Sequence, residues 1–121
     1  MACILVIDDE PMIRTLLRSL LEGAGHTVTE ATNGREGLVL YQQQPADLVV
    51  TDIYMPELNG LDLLLELTRE FLNTKVIAIT GVQDGQEAVL HAARLLGARQ
   101  TFQKPFCIEK FLAAVEYELL H

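Results

Sequence analysis

Hydrophobic residues along the chain follow two alternating patterns. Short apolar runs rich in β-branched residues, typical of strands, recur five times, and the second and fifth are the weakest. The longer segments between them place apolar residues at the i, i+3, i+4 and i+7 spacing of one buried helix face. The predicted strands are Cys3–Ile7, Thr27–Thr29, Leu48–Thr51, Val76–Thr80 and Thr101–Gln103.

The predicted helices are bounded by residues that favour helix starts and ends. The first begins at Pro11, because proline is favoured at the first helical position, and ends near Gly23 or Gly25, where glycine tolerates a left-handed cap. The second begins after Asn33-Gly34 and ends at Gln42–Gln44, the third covers Leu61–Leu72, the fourth runs from a capping box of Asp84 and Glu87 to Gly97, and the fifth covers Ile108–Leu120.

Strict alternation of strand and helix predicts the fold class. Consecutive strands joined by a helix are parallel, with right-handed crossovers that leave helices on both faces of the sheet. The first, third and fourth strands are continuous apolar runs, as buried central strands are, whereas the second and fifth are more polar, as edge strands often are. The sequence therefore predicts an α/β fold with a doubly wound five-stranded parallel sheet, in one domain of residues 1–121.

The charge balance narrows the functional classes. Seventeen acidic residues against nine basic ones give a formal net charge of −8, and the chain has no run rich in lysine or arginine. Because nucleic-acid binding needs a basic surface, we expect no direct contact with DNA or RNA. An acidic surplus suits a divalent cation or a basic partner, although a merely soluble acidic surface is the commoner explanation of such a surplus.

Further features concern cellular location. No apolar run approaches the ~18 residues that span a membrane, and the N-terminus has no basic segment or cleavage site of the kind that directs export. Cys3 and Cys107 have no CxxC spacing, so we expect reduced and at least partly buried thiols. Together these features predict a cytoplasmic protein without membrane contact.

Chemically active residues gather at one predicted edge of the sheet. In doubly wound sheets the ligand crevice lies at the carboxyl ends of the strands, where the strand order reverses. Asp8 and Asp9 follow the first strand, Asp52 follows the third, Thr80 ends the fourth and Lys104 follows the fifth. Two like unit charges about 4 Å apart repel by ~4 kcal/mol at an effective dielectric near 20, so the three carboxylates need a cation. We expect both Mg²⁺, which prefers carboxylates, carbonyls and water, and the ammonium of Lys104.

Each of these residues alone also has an ordinary structural interpretation. Asp8 or Asp9 could cap the first helix. Thr80 could bond its own backbone at a strand end, and Lys104 could be a solvated surface lysine. None of these explains why acids from two strands, a hydroxyl and a lysine converge. Such a set suits phosphoryl transfer, which depends on positioning and charge neutralisation, with Asp52 as the candidate nucleophile.

Four motifs make the chain recognisable. They are VIDDEP at the end of the first strand, VVTDIYMPELNG with its D-x-x-M-P-x-x-x-G spacing, AITG at the end of the fourth strand and QKPF after the fifth. In this combination, over essentially the whole chain, the sequence resembles the receiver domains of two-component response regulators, in particular those like the chemotaxis regulators. The resemblance implies a flavodoxin-like (βα)5 fold with strand order 2-1-3-4-5.

The resemblance also implies a role for each candidate residue. Asp52 would accept a phosphoryl group from a phosphohistidine on a sensor histidine kinase or phosphotransfer protein, while Thr80 and Lys104 would contact phosphoryl oxygens and the Lys104-Pro105 bond would be cis. The ligands of Mg²⁺ would be Asp8, Asp9, Asp52 and the backbone carbonyl of Tyr54. The protein would not be an enzyme but a signalling module that promotes only its own phosphorylation and dephosphorylation. An output domain or docking protein would bind the face formed by the fourth helix, the fifth strand and the fifth helix.

Some positions depart from the family pattern or vary within it. Receivers usually carry Tyr or Phe three residues before the lysine, where this chain has Thr101. The adjacent Phe102 points to the opposite strand face and is expected to pack in the core, so we expect the switch to work through loop and helix-four rearrangement. Tyr54 and Val82, two residues after the acceptor and the threonine, would flank the path of an attacking water and slow hydrolysis.

Two other functional classes remain alternatives. A phosphatase of the haloacid-dehalogenase type would need a second acid two residues after the nucleophile, where this chain has Tyr54. A receiver-like binding module that is never phosphorylated would not need the complete set of acids, threonine and lysine. The sequence leaves open whether the receiver acts alone or belongs to a longer regulator.

Overall fold

A computed structural model describes residues 2–55, 58–71, 73–81 and 86–121 of the chain. Strands and helices alternate along these residues from β1 to α5. The strands are β1 (Cys3–Ile7), β2 (Thr27–Ala31), β3 (Leu48–Asp52), β4 (Val76–Thr80) and β5 (Gln100–Gln103). The helices are α1 (Pro11–Gly23), α2 (Gly34–Gln43), α3 (Gly60–Glu70), α4 (Gln86–Leu95) and α5 (Ile108–Leu120).

The strands form a single sheet in the order β2-β1-β3-β4-β5, and every neighbouring pair is parallel. The predicted doubly wound α/β fold and its strand order 2-1-3-4-5 are therefore confirmed. Each residue of β3 and β4 is buried, whereas β2 and β5 at the edges are partly exposed. The apolar character of the central runs is explained by helices packing on both of their faces.

The sheet separates two hydrophobic clusters. Successive side chains of a strand point to opposite faces, so Ile4 and Val6 contribute to one cluster and Leu5 and Ile7 to the other. The first cluster is completed by α1 and α5, through Leu17, Leu21, Phe111, Ala114 and Val115. The second is completed by α2, α3 and α4, through Tyr41, Leu63, Leu64, Leu67 and Ala93. The two layers of helices leave the carboxyl edge of the sheet to the loops.

Helix bounds follow the predicted ones closely. The bounds of α5 are those predicted, and α1 starts at Pro11 and ends at Gly23. α3 covers Gly60–Glu70, so it begins one residue before the predicted start and ends two residues before the predicted end. The predicted capping residue Asp84 of α4 lies outside the described residues, as do Pro56, Leu72 and Val82. Among the described helices, none has the length and apolar character needed to cross a membrane.

The expectation that the two cysteines are at least partly buried is wrong. Cys3 and Cys107 are both free and exposed. Cys3 is the first residue of β1, and it is the one exposed position of that strand. Cys107 is the N-cap residue of α5 and therefore precedes the buried face of the helix. Strand-like or helix-start composition around a cysteine did not indicate burial, because both residues sit at the ends of their elements.

Candidate functional site

The carboxyl ends of three neighbouring strands carry polar side chains into the interior. Asp8 directly follows β1, Asp52 is the last residue of β3, and Thr80 is the last residue of β4. Their exposed fractions are 1%, 5% and 0%, respectively. Because burying a polar or charged group is costly unless it is paired, their presence together at one edge marks a site rather than ordinary packing.

Among the residues that the structure describes, four carboxylates meet at this edge. Asp8, Asp9, Glu10 and Asp52 each offer an oxygen, and these oxygens lie within 4.8 Å of one another. Asp9 and Glu10 are exposed, whereas Asp8 and Asp52 are buried. Hard divalent cations such as Mg²⁺ prefer carboxylate, carbonyl and water oxygens. The cluster could therefore hold such a cation, half enclosed by the sheet and half open to water.

Lys104 reaches into the same cluster. Its Nζ lies 3.4 Å from Asp8 Oδ2, 3.6 Å from Glu10 Oε1 and 3.6 Å from Asp52 Oδ2. Its backbone N–H donates to the Thr80 carbonyl at 2.7 Å, and the bond to Pro105 is cis, as expected. With a side chain only 18% exposed, Lys104 is not the solvated surface lysine of the alternative interpretation. Within the described part of the chain, one ammonium and four carboxylates leave this cluster negatively charged.

Two buried oxygens at the site lack hydrogen-bond partners among the described residues. They are Asp52 Oδ1 and Thr80 Oγ1. Asp52 pairs with Ile79 in the sheet register, so Thr80 lies one residue further along the neighbouring strand. An unsatisfied buried polar atom costs about 1–3 kcal/mol, and native structures hold few of them. The pair fits a ligand that accepts from the threonine hydroxyl and a cation that contacts the carboxylate.

Burial and neighbouring charges shift the ionisation of the site. Burial, and then the Asp8 carboxylate, raise the pKa of Asp52 to about 6, against the opposing effects of Lys104 and the backbone N–H groups of Ile53 and Tyr54. Burial also raises the pKa of Asp8. Burial lowers the pKa of Lys104, but the Asp52 and Asp8 carboxylates outweigh it, so that this pKa is raised overall. The lysine therefore stays charged, and a bound cation would favour the ionised acids.

The start of α3 fixes the end of β3. A Cβ on Gly60 would lie 2.5 Å from the Asp52 carbonyl oxygen and 2.5 Å from Ile53 Cα, so only glycine allows this close approach. The Gly60 N–H donates to the Ile53 carbonyl at 2.8 Å. The side chain of Asn59 caps α3 by accepting from the Asp62 N–H at 2.9 Å. Helix α3 thereby holds the backbone on which the Asp52 side chain is placed.

Two neighbouring residues of β5 face opposite sides of the sheet. The Thr101 hydroxyl accepts a hydrogen bond from Arg94 Nη1 of α4 at 2.8 Å. The partly buried Phe102 packs against the hydrophobic cluster formed with α1 and α5, and its ring centroid lies 5.7 Å from those of both Phe106 and Phe111. Phe102 therefore packs against the core as predicted, but it is partly buried rather than a fully buried core residue. At the position where receivers usually carry an aromatic residue, this chain therefore has a polar contact to α4.

The helix-cap interpretation of the acids does not hold. The N-cap residue of α1 is Glu10, and its side chain makes no capping hydrogen bond. Asp8 Oδ1 instead accepts from the Glu10 N–H at 2.9 Å, which turns the chain as it leaves β1. Asp9 lies before the cap and contributes its carboxylate to the cluster. The strand-end interpretation of Thr80 also fails, because its hydroxyl bonds no described backbone group.

Two residues near the site were not identified from the sequence. Glu10 adds a fourth carboxylate, and its adjacency to Asp8-Asp9 at the strand end was the available signal. Arg14, on α1, donates from Nη1 to the Asp8 carbonyl oxygen at 2.7 Å. No motif pointed to Arg14, because the contact joins a helix side chain to a backbone carbonyl in the segment after β1.

The comparisons with known proteins agree with this geometry. The family model of the response regulator receiver domain matches residues 4–116. The chemotaxis protein CheY of Thermotoga maritima is 38% identical over 104 residues, which cover 85% of each chain. The DNA-binding transcriptional regulator NtrC of Salmonella typhimurium is 36% identical over 116 residues, which cover 96% of this chain and 24% of NtrC.

Solved structures give the same result. A response regulator receiver domain protein from Clostridium thermocellum superimposes with a TM-score of 0.91 at 33% identity, over 98% of this chain and 94% of that one. The match of the family model spans nearly all of the described sheet and its helices. The chain belongs to the response regulator receiver domain family.

Proposed function

We propose that residues 1–121 form a phosphoacceptor receiver domain in which Asp52 takes a phosphoryl group from a phosphohistidine, in a Mg²⁺-dependent step that switches partner binding. The observation that carries the proposal is the buried Asp52 carboxylate, whose Oδ1 has no partner among the described residues and which lies within the acid cluster. Membership of a family of signalling modules supports the same function.

The proposed transfer uses Asp52 as the nucleophile. A carboxylate oxygen attacks the phosphorus, a P–O bond forms as the P–N bond to histidine breaks, and the electron pair of that bond stays on the imidazole nitrogen. Phosphoryl transfer relies mainly on positioning and on stabilising the charge of the moving oxygens. Lys104 Nζ and the Thr80 hydroxyl would each donate to a different phosphoryl oxygen. Thr80 ends β4, which neighbours β3 in the sheet, and Lys104 follows β5, which is one strand further along.

A divalent cation fits the donor set described above. Asp8, Asp9, Asp52 and the backbone carbonyl of Tyr54 would hold Mg²⁺, which when bound would neutralise charge on the phosphoryl oxygens. The four carboxylate oxygens within 4.8 Å support this assignment. The phosphoryl group would be removed by hydrolysis, in which water attacks the phosphorus and the Asp52 carboxylate leaves. The exposed ring of Tyr54, two residues after Asp52, would obstruct that water.

The phosphodonor would be a sensor histidine kinase or phosphotransfer protein. An apolar groove of ≈ 350 Å³ lies directly beside Lys104, between α1 and the start of α5. Its lining includes Ile13, Leu16 and Ile108, and the neighbouring Met12 is 84% exposed. An apolar helix face of a donor protein could pack there and bring its histidine to the site.

The signal would leave through the face formed by α4, β5 and α5. Leu95 of α4 is 74% exposed and Tyr117 of α5 is 53% exposed, so these two helices leave apolar surface for an output domain or a docking protein. We propose the cytoplasm as the location, because Cys3 and Cys107 are free thiols that a reducing compartment maintains. No direct nucleic-acid contact is proposed for so acidic a chain.

Phosphorylation of the purified protein tests the proposal. Incubation with Mg²⁺ and acetyl phosphate should add one phosphoryl group, seen by mass spectrometry of the intact protein, and Asp52→Asn should abolish the addition. EDTA should prevent it. A wild-type protein that stays unmodified and binds no beryllofluoride would support the binding-module alternative instead. Continuous release of phosphate from added phosphate monoesters would support the phosphatase alternative.

A further inference from the structure

Arg14 links the acid site to the edge strand β2. Its Nη1 donates to the Asp8 carbonyl oxygen at 2.7 Å, and its Nε donates to Glu30 Oε1 at 3.2 Å. Glu30 belongs to β2 and pairs with Val6 of β1 in the sheet register. The guanidinium therefore bridges the backbone at the end of β1 and a carboxylate on the neighbouring strand.

The position of Arg14 is not explained by helix formation. Arg14 is the fourth residue of α1, near the positive end of the helix dipole, where a cation is disfavoured. Its side chain is 14% exposed, which is low for an arginine. The rigid fork of a guanidinium can hold two oxygen acceptors in fixed directions. The two acceptors described above are therefore the physical reason for the placement.

We propose that Arg14 is a positioning residue for the cation site. By fixing the Asp8 carbonyl, Arg14 sets the orientation of the peptide that joins Asp8 to Asp9. The orientation of this peptide in turn sets the directions of the Asp8 and Asp9 carboxylates. Glu30 holds the guanidinium in place. The inference rests on the proposed Mg²⁺ site, and it assigns to α1 and β2 a part in building that site.

A purely electrostatic role of Arg14 and a positioning role predict opposite changes in Mg²⁺ affinity when Arg14 is removed. Loss of a positive charge near four carboxylates would strengthen cation binding if charge alone mattered. Loss of the anchor would weaken cation binding, because residues that orient metal ligands typically contribute about 10–100-fold to affinity. The sign of the change in Mg²⁺ affinity therefore separates the two roles.

Arg18 provides a matched control. It shares Glu30 with Arg14, since its Nη1 donates to Glu30 Oε2 at 2.6 Å, and it also pairs with Glu22. Its side chain is 44% exposed, and its described contacts do not include Asp8. Substituting Arg18 removes the same charge from the same helix without removing the anchor.

The first experiment is a Mg²⁺ titration of the full chain, followed by amide shifts in ¹H–¹⁵N NMR spectra. Arg14→Met should raise the Mg²⁺ dissociation constant about tenfold or more, and Glu30→Gln should raise it by a smaller factor. Arg18→Met should leave it within about twofold of wild type. Unchanged or tighter binding in Arg14→Met, or an equal loss in Arg18→Met, would overturn the proposal.

A second experiment measures amide hydrogen exchange in the metal-free protein. The Glu10 N–H donates to Asp8 Oδ1, so its hydrogen exchange in EDTA reports how firmly this turn is held. Exchange should be faster in Arg14→Met and Glu30→Gln than in wild type, and unchanged in Arg18→Met. Wild-type rates in Glu30→Gln would overturn the proposal even if Arg14→Met failed to fold. If wild-type protein bound no Mg²⁺, the proposed function would fail while exchange still decided the role of Arg14.

Discussion

Lys104 Nζ lies 3.6 Å from Asp52 Oδ2, yet the pKa of Asp52 is still raised to about 6. The lysine therefore offsets only part of the cost of burying this carboxylate beside Asp8. The rest of the free-energy cost of burying the ionised carboxylate is not offset in the folded protein at neutral pH. A site with this imbalance favours cations and destabilises the fold that carries it.

Asp52→Asn should stabilise the metal-free protein at neutral pH. The folded-state pKa of about 6 exceeds the unfolded-state value of 3.8, so ionisation of Asp52 opposes folding. The stabilisation that the neutral Asp52 side chain contributes is fully present below pH 3.8. It decreases between pH 3.8 and about 6 and is lost above that range. We expect the variant to exceed wild type by on the order of 2 kcal/mol at pH 8 in EDTA. Urea unfolding from pH 3.5 to 8 measures the difference.

The unfolding free energies of wild type and Asp52→Asn should converge as the pH falls, because the side chain at position 52 is then neutral in both proteins. Added Mg²⁺ should stabilise wild type more than Asp52→Asn, since only wild type offers the full acid cluster to the cation. A difference in stability that does not vary with pH would contradict the assigned cause. So would a variant less stable than wild type at pH 8.

Gly60→Ala should destabilise the fold and displace the acceptor. The added methyl group would lie 2.5 Å from the Asp52 carbonyl oxygen, and backbone must move to relieve the contact. We expect a loss of about 1–3 kcal/mol in unfolding free energy together with slower phosphorylation. Gly23→Ala is the control, because a Cβ there meets no atom of the described residues within 4 Å. That variant should be neutral or slightly more stable, and equal effects of the two substitutions would contradict the close-approach argument.

Tyr54→Ala should shorten the lifetime of the phosphorylated protein. The ring stands two residues beyond Asp52 and is 42% exposed, so its removal would open a path for water. A lifetime about threefold to tenfold shorter corresponds to roughly 1 kcal/mol in the hydrolysis barrier. Tyr117→Ala, on α5, is the matched control and should leave the lifetime unchanged. The decay of radiolabelled phosphoprotein gives both rates, and an unchanged or longer lifetime in Tyr54→Ala would refute the shielding role.

Thr101→Val should loosen α4 without affecting phosphorylation at Asp52. Valine keeps the β-branched shape of threonine but cannot accept the hydrogen bond from Arg94. The lost bond is exposed, so we expect amide exchange in α4 to rise by a factor that corresponds to about 1 kcal/mol or less. Exchange in α2 serves as an internal reference. Unchanged α4 exchange in Thr101→Val would contradict the stabilising role of this hydrogen bond, and unchanged α4 exchange in wild type on addition of beryllofluoride would exclude this helix from the switch.

Much of the fold was predictable because its strongest elements are locally encoded. Val76–Thr80 is a continuous apolar run and Ile108–Leu120 has clear helical spacing, and both were predicted with the observed bounds. The ends of β2 were less predictable. Its last residues, Glu30 and Ala31, are polar or small, and they are in the strand because β1 provides their backbone partners. Strand ends of this kind depend on the neighbouring strand more than on composition.

The candidate site was predictable as far as topology determines it. Asp8, Asp52 and Lys104 follow or end strands whose order brings their carboxyl ends together. The bridge from Arg14 was not predictable, because it depends on how far a helix side chain reaches toward a backbone carbonyl. The same limit applies to the pKa of Asp52, which burial controls and which spacing along the sequence does not encode.

The exposure of both cysteines gives the protein natural attachment points for spectroscopic probes. Cys107 lies three residues after Lys104, beyond the loop that leaves the carboxyl edge, whereas Cys3 opens β1 at the opposite, amino edge of the sheet. A fluorophore on Cys107 would follow events at the acid site, and the same fluorophore on Cys3 would supply a reference from the same molecule. Single Cys→Ser variants separate the two signals, so binding and signalling can be observed without introducing a new cysteine.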